Sequence, residues 1–164
     1  MRHLLISMLA IASTFSLLCT ACDDDDDEPK KKIIDPIEPF RGKADITAFK
    51  ITIPTDMSIS VNDVKDNTFS LVVDEFTINI PMGNNTISKT LKTFKVENVN
   101  YTEKDGVATI LPGEFETTDG VYASIKVNIL AGIIANSNMY LSFTVQPEGM
   151  PMPMEIDFTT AEEE

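Results

Sequence analysis

Few side chains in this sequence are spaced to do chemistry, and each set that could has a plainer reading beside it. Met150, Met152 and Met154 recur at spacing two, so a strand would carry all three on one face, where thioether sulfurs suit a soft ion such as Cu(I). The same face continues into Ile156 and Phe158, which makes adaptable core packing the stronger reading. Asp74 with Glu75, and Glu114 with Glu116, are the nearest carboxylate pairs. Glycoside hydrolysis needs two acids about 5 to 10 Å apart across a cleft, whereas these four read as solvated strand ends or turns. No Gly-rich phosphate loop occurs.

The remaining reactive residues sit at the start of the chain. His3 is the one histidine, and the two cysteines are Cys19 and Cys22. Met1 to Cys22 has a basic start at Arg2, an apolar run from Leu4 to Leu18, and small Thr20 and Ala21 before Cys22, the three parts of a secretory leader. The apolar run is shorter than the about 20 residues a membrane span needs, so a cleavable signal fits better than an anchor helix. The Ala21–Cys22 step resembles the lipobox of bacterial lipoproteins, which implies acylation of Cys22 and cleavage before it. Several acyl chains on one residue give stable anchoring where one would be marginal. The usual Leu three residues before the cysteine is here Cys19, with Leu18 one step further out. Attachment at Cys19 would put bulky Leu18 at the cut, so Cys22 is the better site. An ordinary secretory leader, releasing an unanchored protein, is the alternative.

Asp23 to Glu28 are six consecutive acids, which repel one another and stay solvated. As structure they are a spacer. They also resemble the surface-export signal of Bacteroidetes lipoproteins, which implies the outer-membrane surface; a periplasm-facing membrane lipoprotein is the alternative. A calcium site is a poor fit, because a run without a Gly-turned loop makes a weak cage.

The net charge of −13 repels nucleic acid, and no basic stripe offsets it. A chain cut before an acylated Cys22 keeps no His and no free thiol, which excludes a Ser-His-Asp triad, a cysteine nucleophile, the common His/Cys zinc sites and stabilising disulfides. Trp is absent, which disfavours aromatic sugar platforms, although three Tyr and nine Phe remain. The expectation is a protein that is not an enzyme and uses no cofactor or metal.

Pro29 to Phe40 mixes Lys30, Lys31 and Lys32 with Pro29, Pro36 and Pro39 and has no sustained period, so it reads as a linker. Beyond it the period is two almost everywhere. Val121, Ala123, Ile125, Val127, Ile129 and Ala131 predict the clearest strand, and Met139, Leu141, Phe143 and Val145 the next, with Ala135 to Asn138 as the hairpin turn. Met152, Met154, Ile156 and Phe158 predict a third after a turn at Pro147 to Gly149. Upstream, Ile46 to Ile53 and Met57 to Val64 read as strands separated by Pro54. Phe69, Leu71 and Val73 lead into Phe76, Ile78 and Ile80, with a change of parity that predicts a bulge or tight turn at Asp74 and Glu75. Gly83 to Asn85 reads as a turn, followed by strands over Ile87 to Leu91, Phe94 to Tyr101 and Val107 to Leu111, with a hairpin loop at Glu103 to Gly106. About eight to ten short strands without crossover helices mean an all-β antiparallel meander, closed as a β-barrel or, alternatively, stacked as a β-sandwich.

From about Lys43 to Thr160 the chain resembles the calycin-like, lipocalin-like β-barrel domain of Bacteroidetes lipoproteins. The resemblance rests on the lipobox at Cys22 with its acidic tail, and on Asp66 to Ile78 (DNTFSLVVDEFTI), Phe94 to Val99 (FKVENV) and Gly149 to Thr159 (GMPMPMEIDFT). It divides the chain into a signal peptide (1–21), a lipidated acidic and Pro/Lys tether (22–42), a barrel (43–160) and a disordered acidic tail (161–164). It implies a barrel whose mouth could hold a small hydrophobic or glycan-derived ligand, and it supplies no ligand-binding residues. Ala123 and Ala131 would leave room inside. Phe69, Phe76, Phe143, Met139 and Met154, expected to point inward, favour a mostly filled barrel. Two functions follow as expectations: a tethered binding module, or a filled-barrel interaction protein serving an outer-membrane assembly partner.

Overall fold

Period-two alternation becomes eleven antiparallel strands in a computed structural model, which describes residues 38–160. The expected signal peptide, Cys22, the acidic run and the tail 161–164 lie outside the described residues. The strands are β1 (Phe40–Ala48), β2 (Ile51–Asn62), β3 (Thr68–Val73), β4 (Phe76–Met82), β5 (Asn85–Leu91) and β6 (Phe94–Lys104). They continue with β7 (Val107–Ile110), β8 (Gly113–Thr117), β9 (Ile125–Ala135), β10 (Asn138–Pro147) and β11 (Met154–Thr160). Hydrogen bonding runs β10-β11-β1-β2-β3-β6-β7-β9, and β9 pairs back onto β10, so the sheet closes as a barrel rather than a sandwich. Closure removes the exposed edges that a sandwich would have to blunt.

Strands β7 and β8 act as one broken stave. Val107 opposes Ala135 and Ile110 opposes Gly132, then Gly113 opposes Ile129 and Thr117 opposes Ile125, all in one register. The break falls at Leu111–Pro112, where proline has no N–H to give the ladder. Among the described residues β8 forms no ladder with β6. The seam there is held instead by Leu111 N–H donating to Asn100 C=O at 2.9 Å and by Thr117 Oγ1 donating to Lys95 C=O at 2.6 Å.

Three hairpin turns place two successive residues at positive φ: Phe49 and Lys50 (52° and 66°), Asp105 and Gly106 (51° and 82°), and Asn136 and Ser137 (49° and 66°). This is the left-handed pair that matches strand twist. Strand β1 begins at Phe40, three residues before Lys43, because Phe40 to Gly42 pair with Ile59 to Met57.

Several expectations need correcting. Pro54 does not separate two strands but lies inside β2, opposite Asp45. Strand β3 pairs only with Ile59 to Asn62, so Pro54 sits where β2 has no ladder on its second side, a position that tolerates a residue without an N–H. The strand expected from Val121 starts at Ile125, and Val121 lies in a loop at 66% exposure. Its parity also fails at Ala131: the β9–β10 register shifts between Ser142 and Phe143, leaving Leu130 as an extra residue and turning Leu130 and Ala131 outward. Ala123 is exposed as well, so neither alanine opens the interior.

The β4–β5 hairpin stands apart from the ring as its own two-stranded sheet. The change of parity expected at Asp74 and Glu75 is the break between β3 and β4, where Asp74 N–H donates to Ser58 C=O at 3.0 Å. The hairpin then buries Phe76, Ile78, Ile80 and Leu91 within the same core as the barrel.

Candidate functional site

The interior is the first place to look for a site, and its own side chains fill it. Phe69, Phe94, Phe143 and Phe158 are buried together with Met139, Met154 and the inward Ile, Leu and Val rows. The space between Leu71, Val73, Phe94, Val96, Val127, Ile129, Leu141 and Phe143 has a volume of about 10 Å³. That is room for about one water probe, in apolar surroundings where a water has no partner.

The residues singled out from sequence do not assemble a site. Met154 is a core residue, Met150 is half-buried against the core and Met152 is exposed, so the three thioethers do not share a face. Strand β11 begins only at Met154, and the two prolines Pro151 and Pro153 hold the preceding segment out of the ladder. Glu75 pairs with Lys92 at 2.5 Å, while its neighbour Asp74 is half-buried at the β3–β4 break. Glu114 and Glu116 stand on the outer wall, where Ser124 donates to Glu116. Neither carboxylate pair lines the internal space between the β-strands. Among the described residues no group of His, Cys, Asp or Glu could hold a metal ion. Cys22 lies outside the described residues.

A polar cleft of about 180 Å³ opens instead on the outside, lined by Asp63, Lys65, Thr68, Phe69, Ser70, Glu97 and Asn98. Two local irregularities build it. Strand β2 ends at Asn62 and Asp63 takes φ 53°, while β6 carries a bulge in which Asn98 takes φ 57°; Asp and Asn tolerate this region better than most residues. Phe69 opposes Val99 but Leu71 opposes Val96, so Ser70 meets the extra residue of β6. Ser70 is buried at 4% exposure and donates to Asp63 Oδ2 at 3.2 Å. Lys95 Nζ lies 2.8 Å from Asp63 Oδ2 and 3.1 Å from Glu97 Oε1. Hydrogen bonding from Lys95 holds the Asp63 carboxyl below its ordinary range, and Asp63 followed by Glu97 keeps the ammonium charged above its own. Tyr101, its ring tilted against Phe69 at a centroid distance of 5.2 Å, donates its hydroxyl to Lys65 C=O at 3.0 Å and fixes the loop that rims the cleft.

This cleft escaped the sequence reading, although a signal exists. The apolar alternation of Phe94 and Val96 slips by one before Val99 and Tyr101, and that slip is the bulge at Asn98.

A second surface lies at the barrel end where β1 turns into β2. Strand β1 pairs with β11 as far as Thr47 and Glu155, so Phe49 and Met152 lie just beyond one ladder end. Glu148 N–H donates to Ser124 C=O at 2.8 Å, which brings the β10–β11 loop beside the 118–124 loop. Phe49, Met152 and Val121 are 47%, 50% and 66% exposed. Asp119 makes the Val121 tip rigid by accepting from the backbone N–H groups of Tyr122, Val121 and Lys92 at 2.7, 2.9 and 3.1 Å. Partial burial raises the Asp119 carboxyl, and these bonds outweigh it to hold the group below its usual range.

Closed antiparallel staves, a core of the protein's own side chains and polar groups turned outward define a small filled β-barrel domain. The model of the calycin-like beta-barrel domain family matches residues 41–161, and the chain belongs to that family. A crystal structure of a candidate outer membrane protein from Bacteroides fragilis superposes with a TM-score of 0.59 at 21% identity. The match covers 74% of this chain and 48% of that one, so the chain spans about half the length of that protein. At this identity the likeness shows the fold. No curated protein matches the chain significantly.

Proposed function

We propose that this protein is a non-enzymatic, membrane-tethered interaction module of the cell envelope, in which the barrel is a scaffold and the partner docks outside it. The filled interior carries this reading: a space of about 10 Å³ has room for about one water probe, far short of any organic ligand. The exposed tips of Phe49, Val121 and Met152 supply the apolar centre that a protein interface needs, on loops from three places in the chain. The net charge of −13 opposes docking on an anionic lipid surface, which leaves a protein, such as a subunit of an outer-membrane assembly, as the occupant.

The tether runs through Cys22. The lipobox-like Ala21–Cys22 step and the acidic run behind it support anchoring at the outer membrane with the barrel on the cell surface, and the Bacteroides neighbour accords with an envelope location. A Cys22→Ala variant is expected to incorporate no labelled fatty acid and to keep its leader; normal labelling of that variant would remove the tether from the account.

Native mass spectrometry of the full chain, gently solubilised from its own membranes, tests the docking mode. The expected spectrum shows complexes with a protein partner and no lipid-sized adduct inside the barrel. A recurrent apolar adduct that disappears on unfolding would instead establish the ligand-binding barrel.

A further inference from the structure

The polar cleft beside Asp63 and Asn98 is separate from the apolar tips, and its chemistry selects a ligand class. Lys95 Nζ sits between the Asp63 and Glu97 carboxylates at 2.8 and 3.1 Å, in the position a bridging metal ion would need. A divalent cation is therefore opposed by a fixed ammonium. An anion fares no better, because it would meet both carboxylates. An apolar ligand would find polar walls, since the Phe69 ring is buried to 1% exposure.

What the walls offer is a mixed set of groups with capacity to spare. Asp63 uses only Oδ2 for Lys95 and Ser70, and Glu97 uses only Oε1 for Lys95. Among the described residues the Asn98 amide, the Thr68 hydroxyl and the Lys65 ammonium make no side-chain hydrogen bond or ion pair. Acceptors on Asp63 and Glu97 thus line the same cleft as donors on Lys65 and Asn98. That pairing suits adjacent hydroxyl groups, each of which donates one hydrogen bond and accepts others. At about 180 Å³ the cleft is too small for a drug-sized molecule and fits a single ring.

We propose that this cleft, between the β2–β3 loop and the β6 bulge, binds one neutral polyhydroxylated ring: a monosaccharide or the terminal residue of a glycan. It does not depend on the docking face or on the tether. With few contacts and an open side, the expected dissociation constant is on the order of 1 mM.

The test is a titration of the ¹⁵N-labelled full chain in detergent micelles, followed by amide chemical shifts. The probes are glucose, galactose and N-acetylglucosamine, with inorganic phosphate and calcium chloride as charged controls. Saturable shifts confined to 63–70 and 95–98 with at least one sugar, and weakened about tenfold in Asn98→Gly, are the expected result. Glycine keeps the left-handed backbone of that position, so the variant removes the amide without straining the fold. Thr68→Val serves as a second variant that leaves the bulge untouched. The methyl glycoside of the best sugar separates the two sources: retained binding assigns a glycan end, and lost binding a free sugar, both within the proposed class. No sugar-dependent shift in this region at roughly ten times the expected constant, or saturable shifts there with phosphate or calcium alone, would overturn the proposal.

Discussion

At two glycines an added Cβ would crowd its neighbours, and the substitutions should fail in different ways. A Cβ on Gly42 would lie 2.0 Å from the backbone oxygen of Thr159, so alanine there must push β11 away from β1. The pair Gly42–Thr160 is the end of that ladder, which lets the damage stay local. Gly42→Ala is expected to raise hydrogen exchange at Thr159 and Thr160 with little loss of global stability. A Cβ on Gly132 would instead meet Ile110 and Leu141 inside the core at 2.8 and 2.9 Å. Gly132→Ala should cost about 1–3 kcal/mol in urea unfolding, as overpacking does. Asp119 brings a pH dependence whose sign follows from its lowered pKa. Its contribution is complete above the unfolded carboxyl value of about 3.9 and is lost as pH falls through the lower folded value. The melting-temperature gap between Asp119→Ala and the parent should be constant from about pH 5 to 8 and narrow below about pH 4. Core residues were largely legible at this scale: Phe69, Phe76, Met139, Phe143 and Met154 are all buried as their alternation implied. Asp63 and Asn98 were not, because their role comes from a left-handed backbone that composition does not announce.

At the scale of elements, alternation located the strands, while irregularity decided where the surfaces lie. The hairpin at Ala135–Asn138, the loop at Glu103–Gly106 and the break at Asp74–Glu75 all fall where turn chemistry or parity placed them. Strand β8 went unseen, since Gly113 to Thr117 alternates Phe115 with two glutamates and has little apolar signal. Ala131 turned outward because Leu130 is an inserted residue, and an insertion flips every later side chain on a strand. The seam between β6 and β8 is the least bonded join of the ring, which gives Thr117 a specific job. Thr117→Val keeps the shape and removes the hydrogen bond to Lys95 C=O. It should lower unfolding free energy by about 1 kcal/mol and raise amide exchange along β8 more than along β11. Equal exchange in both strands would mean the seam is held by packing alone.

For the whole molecule, closure and filling together determine what function the barrel can serve. Eight staves are the size at which a barrel is either filled by side chains or holds one small molecule. Period-two alternation cannot choose between them, because inward rows look the same in both cases; the choice rests on the volumes of residues that the closed ring brings face to face. Phe94, Phe143, Leu71 and Leu141 meet across the interior and leave about 10 Å³ between them. On the proposed reading the recognition groups therefore lie outside, with apolar tips at one end and a polar cleft on the wall. Site-specific photo-crosslinking in the native host tests this most directly, with the photoreactive residue at Val121 or Met152 and, for comparison, at Asp105 in a hairpin turn away from those tips. Discrete crosslinks to one protein partner from Val121 and Met152, absent from Asp105, are the result expected. Crosslinks from Asp105 alone, or equal labelling from all three positions, would contradict it.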